Sequence, residues 1–182
     1  MPIIDQSVTW QKIEERLRIE TDPSLRRPLE LILQHMKAEA ALDLDTVMST
    51  MSEHTRYRIF ELGGTGPVGK EEVRKAYEEF AASGAYKLQF AIDHLSVDRQ
   101  CIVTEGVMRM AYPGRTLLAM GIEVDDEEAY YLYETHMAVL WPIADDGLLV
   151  GEDAYVGGDG FAGIASRKLS PDDIKLYQPV AA

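Results

Sequence analysis

The sequence predicts an α+β domain, and three observations carry that expectation. The first third of the chain places apolar residues at helical spacing. After Ser83-Gly84 the pattern changes to long alternating segments separated by tight turns. The 182 residues, 46% of them apolar, suffice for one domain with its own core and are short for two. Helices first and strands afterwards is the α+β order, and long strands joined by tight turns imply a curving antiparallel sheet.

Taken in order, Val8, Trp10, Ile13 and Leu17 keep roughly helical spacing, with Ser7 placed to cap. Thr21-Asp22-Pro23 breaks that helix, and Asp22 or Ser24 can start the next. Leu25, Leu29, Ile32, Leu33, Met36 and Ala40 then form the strongest helical stripe in the chain. Asp43 caps a short third helix that turns Leu44, Val47, Met48 and Met51 inward. From Thr55 to Leu62 the period becomes two, with Tyr57, Ile59 and Glu61 alternating against Arg58 and Phe60. Gly63-Gly64-Thr65-Gly66-Pro67 is a turn before a helix. It lacks the Gly-Lys-Ser/Thr ending of a phosphate cradle. Residues 71–82 form an amphipathic helix with Val73, Ala76, Tyr77 and Phe80 on one face. Strands follow at 86–97, 100–112, 129–143 and 148–156, with 113–128 irregular between the second and third. Ser170-Pro171-Asp172-Asp173 opens a short terminal helix.

Charge narrows the function classes. The chain has 18 Lys and Arg against 31 Asp and Glu, a net charge of −13. Residues 1–120 hold 15 basic against 18 acidic side chains, and residues 121–182 hold 3 against 13. No basic stripe exists to neutralise phosphates, so neither nucleic acid nor an anionic membrane surface is an expected partner. The lone Cys101 and the lack of a signal-peptide pattern point to a reduced, cytoplasmic setting. The late acidic excess falls at Asp125–Glu128, Asp145-Asp146 and Asp172-Asp173, where it solvates strand ends. An acidic pocket rim is the remaining reading, with Glu152 as its residue. His35, His54, His94 and His136 show no metal-ligand spacing, so neither metal nor cofactor is expected.

Three local motifs carry a resemblance. They are Leu42-Asp43-Leu44-Asp45 before Val47-Met48; Gly69-Lys70-Glu71-Glu72-Val73-Arg74 with Tyr77; and Asp146-Gly147-Leu148 running to Tyr155. In this order and spacing the chain, over about residues 24–157, resembles the nuclear transport factor 2-like superfamily. Within it the SnoaL-like polyketide cyclases, ketosteroid isomerases and limonene epoxide hydrolases are nearest in pattern. The resemblance implies a cone-shaped roll, a curved antiparallel sheet wrapped around the N-terminal helices, with an internal apolar pocket. It implies a helical extension at 1–22, a cone domain at 23–157, and a tail at 158–182 packed on or near the domain.

The resemblance also implies site residues. The isomerase base position falls on Ile59 and its acid position on Val139, and neither can transfer a proton. The hydrolase pattern at Val103-Thr104-Glu105 puts its Arg and Asp on Gly106 and Met108 and its third carboxylate on Ala154. The isomerase's oxyanion tyrosine falls on His35, and its supporting tyrosine on Tyr77. That makes His35 a candidate acid–base or hydrogen-bond donor, or else a core histidine satisfied by a tyrosine hydroxyl.

His94 shares a strand face with Leu88, Phe90 and Ile92, and so looks either into the cone or onto its rim. Tyr57, Ile59, Phe80, Met108, Met110, Tyr133, Met137 and Val139 form a wall for a hydrophobic small molecule, or ordinary core packing. An inward Glu152 would have its pKa raised by burial and serve as an acid. The expected function is cofactor-free isomerisation, cyclisation or dehydration. The alternatives are a non-catalytic ligand-binding or dimerisation module and a protein-interaction subunit. A homodimer is expected through the outer sheet face, where Glu134, His136, Ala138 and Leu140 point.

Overall fold

The computed structural model describes residues 1–60 and 63–179. Strand β1 (Ile4–Asp5) leads through a 3-10 turn at Gln6–Trp10 into α1 (Gln11–Ile19) and α2 (Pro23–Ala40). Then follow α3 (Leu44–Ser49), β2 (Met51–Ile59), α4 (Lys70–Ser83), β3 (Leu88–Val97) and β4 (Cys101–Pro113). The chain continues with α5 (Gly114–Ala119), β5 (Tyr130–Pro142), β6 (Leu149–Val156), β7 (Lys168–Leu169) and β8 (Ile174–Lys175). The expected α+β order is present.

Caps and periodicity place the helices. Asp22 Oδ1 accepts the Ser24 backbone N–H at 2.8 Å, which fixes the start of α2. Asp43 caps α3 through the Thr46 N–H and hydroxyl. The first turn differs from expectation: Asp5, not Ser7, is the cap, because its carboxylate accepts both the Ser7 N–H and hydroxyl. Met51 is not on α3 but opens β2, where it is fully buried. Of the residues expected on β2, Glu61 and Leu62 lie outside the described residues.

The large sheet runs β2-β6-β5-β4-β3, with β7 added beside β5. It is mixed, an antiparallel sheet with one parallel strand at its edge. β3, β4, β5 and β6 pair antiparallel, but β2 lies parallel to β6. A parallel pair needs a crossover, and here the chain passes through α4 and the β3–β5 meander before it returns. Gly151 permits the pairing: with φ at +134°, a Cβ there would lie 1.9 Å from the Arg56 carbonyl oxygen. On the outer face Asp153, 4% exposed, takes hydrogen bonds from Arg56 at 2.8 Å and from both Nε and Nη2 of Arg58.

The inner face packs against the helices. Leu29, Ile32 and Met36 of α2 meet Phe90, Ile92, Ile102, Val139, Trp141 and Leu149. The N-terminal segment joins them, with Trp10 and Ile13 in the same cluster and Tyr177 edge-on to Trp10 at 4.9 Å. β1 and β8 form a two-stranded parallel ladder over Ala111 and Leu169. Ile174 and Tyr177 thus contact the N-terminal segment, and 180–182 fall outside the described residues.

One buried polar pair pins the core layer. Trp141 Nε1–H donates to Thr104 Oγ1 at 2.9 Å, and both residues are buried. Thr104→Val keeps the volume but leaves the indole N–H unpaired. Urea unfolding should register a loss of about 1–3 kcal/mol, whereas an unchanged midpoint would mean the pair contributes nothing.

Candidate active site

Helices and strands together deliver side chains to one cavity of about 400 Å³ between the sheet and the helices. α2 contributes Glu39, β2 contributes Tyr57 and Ile59, α4 contributes Tyr77 and Phe80, and β6 contributes Glu152. Met108 and Met110 of β4 and Tyr133 and Met137 of β5 complete the wall. The register explains the convergence. Tyr57 pairs with Glu152 and Ile59 with Ala154, so all four face inward.

A directional hydrogen-bond chain lies behind this wall. The Thr50 hydroxyl donates to the Val47 carbonyl at 2.6 Å, so it must accept from His35 Nδ1–H at 2.8 Å. That fixes the His35 tautomer and leaves an Nε2 lone pair, to which the Tyr77 hydroxyl donates at 3.3 Å. The Tyr57 hydroxyl bonds the Tyr77 oxygen and also reaches Glu152. The sequence Glu152, Tyr57, Tyr77, His35, Thr50, Val47 is therefore continuous.

Burial sets the protonation states. Desolvation pushes His35 down to about 4, so the imidazole is neutral. Desolvation raises Glu39 to about 7. It raises Glu152 to about 8, aided by the Glu39 charge and opposed by the Tyr57 hydrogen bond. Burial, with the neighbouring carboxyl charges, also lifts both tyrosines well above their usual range, so they remain hydroxyl donors. Both carboxyls border the cavity, and both residues are half-buried. Two acids in one apolar site titrate as a pair that holds a proton near neutral pH.

The sequence expectations divide accordingly. Tyr57, Ile59, Tyr77, Phe80, Met108, Met110, Tyr133, Met137 and Glu152 all line the cavity. Val139 does not: it is 1% exposed and packs in the helix–sheet core. His35 has no exposed surface and sits behind Tyr77, so it positions that hydroxyl and cannot touch a ligand. His94 is on the wrong face. The β3–β4 register shifts between Ile92 and His94, so Asp93 is an extra residue and Leu95 takes the inward position. The His94 side chain is 85% exposed and lies 3.8 Å from Glu105, which also bonds His136. Glu39 was missed. Its signal was its place one turn after His35, beside the apolar stripe of α2.

With the geometry in place, comparison with solved structures decides the fold. A SnoaL-like polyketide cyclase candidate of Shewanella denitrificans superposes with a TM-score of 0.62 at 12% identity, covering 76% of this chain and 96% of that one. A nuclear transport factor 2-like protein of Anabaena variabilis gives 0.55 at 17% identity, over 78% and 97%. The fold is nuclear transport factor 2-like. An LEH-like epoxide hydrolase of M. tuberculosis also matches, with a TM-score of 0.58 at 14% identity, over 80% and 94%. No protein-family model and no curated protein matches the sequence. On this nuclear transport factor 2-like frame, no group of three or more His, Cys, Asp or Glu is placed to hold a metal among the described residues.

The carboxyl pair has a thermodynamic signature. Both folded pKa values lie above the ordinary 4.5, so the folded state binds more protons than the unfolded one between those limits. Stability should be fully present below about pH 4.5 and fall as pH rises through about 7 and 8. Urea titrations across that range should show the decline, and the double variant Glu39→Gln, Glu152→Gln should flatten it. An identical decline in the variant would remove the pair as its source.

Proposed function

We propose that the chain is a cofactor-independent, SnoaL-like enzyme that moves a proton on a hydrophobic small molecule by isomerisation, cyclisation or dehydration. One observation carries this reading. Glu39 and Glu152, backed by Tyr57 and Tyr77, converge on an apolar cavity that holds their protons near neutrality. An acid and a base whose pKa values bracket the working pH are what general acid–base catalysis requires. Glu39 is the base and Glu152 the acid. The Tyr57 hydroxyl, whose proton is committed to Tyr77 and through it to His35, presents its oxygen beside Glu152 and positions that acid.

The acid–base role expected of His35 passes to these carboxyls, because the imidazole has no route to the cavity. The inert Ile59 and Ala154 line the same cavity, one strand step beyond Tyr57 and Glu152. Tyr57 and Glu152 thus occupy neighbouring positions on the same two inward faces, and Glu39 joins them from α2. No helix among the described residues is long and apolar enough to cross a membrane; we infer a cytoplasmic setting from the single cysteine, Cys101, which suits a reducing compartment. We also infer a homodimer through the outer face of β5, where His136 is exposed and Glu134, Ala138 and Leu140 are half-exposed. A monomeric sedimentation profile would refute that assembly.

The catalytic reading can be tested before the natural substrate is identified. The ketone 2-tetralone, an apolar carbon acid, serves as probe, with deuterium uptake from D2O followed by NMR. The wild-type chain should accelerate exchange over heat-denatured protein. Glu39→Gln should cut that acceleration by about a hundredfold or more, with Glu152→Gln losing a comparable share. No acceleration by the wild type, or equal rates in the variants, would sink the assignment.

A further inference from the structure

The cavity carries negative charge with nothing of opposite sign facing it. Glu39 makes no side-chain hydrogen bond among the described residues, and the influences on its proton are burial and the neighbouring acid. Arg58 is the one basic residue on the lining, and its guanidinium is committed to Asp153 on the outer face. The remaining wall is largely apolar, and the thioethers of Met108, Met110 and Met137 and the rings of Tyr57, Tyr77 and Phe80 give it soft, electron-rich surfaces among aliphatic side chains. Thioethers and aromatic faces favour a cation that has shed its water. The whole chain, at −13, adds a field that draws cations in and turns anions away.

We infer that this cavity takes an amphiphilic organic cation, a protonated amine on an apolar body. Its ammonium sits against the Glu39 and Glu152 carboxyls, and its hydrocarbon lies along the methionine and aromatic wall. The inference names the substrate class of the proposed acid–base site and so rests on that reading. It follows from electrostatic balance. A paired acid in an apolar cavity keeps a proton because ionising both groups there is unfavourable. An ammonium placed between them removes that penalty. Glu39 then releases to water the fraction of a proton it holds, its carboxylate anchors the nitrogen and remains the base, and Glu152 keeps its proton as the acid. A neutral ligand gains none of this, and an anionic ligand meets like charge in a low-dielectric site.

Three probes share one apolar body and differ only in the head group: 4-phenylbutylamine, 4-phenylbutanol and 4-phenylbutanoate. Isothermal titration calorimetry on the full chain, in two buffers of different ionisation enthalpy, reads both affinity and proton release. The amine should bind about tenfold or more tighter than the alcohol, and the carboxylate should bind worst. Amine binding should release a fraction of a proton at neutral pH, while alcohol binding releases none. The double variant Glu39→Gln, Glu152→Gln should lose both the amine preference and the proton release. Its retained alcohol binding would certify that the cavity is intact. Equal affinity for amine and alcohol, or a preference for the carboxylate, overturns the cation assignment and leaves the acid–base reading standing. Failure of all three probes to bind overturns both.

Discussion

The parallel pairing of β2 with β6 is the constraint on which the site depends. It sets Tyr57 beside Glu152 on the inner face and Arg58 beside Asp153 on the outer face, in one register. A slip of one residue would exchange the faces, sending the carboxyl of Glu152 outward and Asp153 into the cavity. Two devices hold that register. Gly151 lets the Arg56 carbonyl approach where any side chain would collide. On the outer face, the two arginines converge on an almost fully buried Asp153. Removing one partner of such a cluster leaves a desolvated charge, so the pairing is defended on both sides of the sheet.

From that register the chemistry propagates inward by hydrogen bonds of fixed direction. The Val47 carbonyl can only accept, so each hydroxyl and ring nitrogen behind it has its donor role assigned in turn. His35, whose charge would be free to switch near neutrality in water, is made electrically silent by burial and acts as a fixed acceptor. The titrating role moves to two glutamates that in water would be plain anions. Environment has inverted what residue type alone suggests.

How much of this could be read from the chain follows the range of each interaction. Helix α2 and the β3–β6 strands are legible because their apolar periods and caps are local, as with Asp22 and Asp43. The parallel β2–β6 pair is not, since its partners are about 95 residues apart and no local period encodes their direction. His94 was misplaced for a specific reason: alternation along β3 fails at the extra residue Asp93, and a bulge cannot be read from alternation alone. Val139 was assigned the correct face but the wrong depth, because face and depth are separate facts and only the first is periodic. Glu39 was hidden by its type, since a glutamate on a helix flank is ordinarily solvated. The acidic rim suspected from Glu152 in the late acidic excess turns out to need this early residue as its partner.

The short clasp between β1 and β8 has a mechanical consequence. The two strands run in the same direction, with Ile4 opposite Ile174 and Asp5 opposite Lys175, and an ion pair of 2.8 Å joins the second couple. A force drawing the chain out before β1 and beyond β8 pulls the strands past each other along their length. The rungs then share the load and must yield together, instead of opening one at a time like a zip. Beneath them, Ile4 is sealed against Ala111 and Leu169. The fold is thus buckled where its two ends meet, on the side of the sheet that also anchors the far ends of β4 and β5.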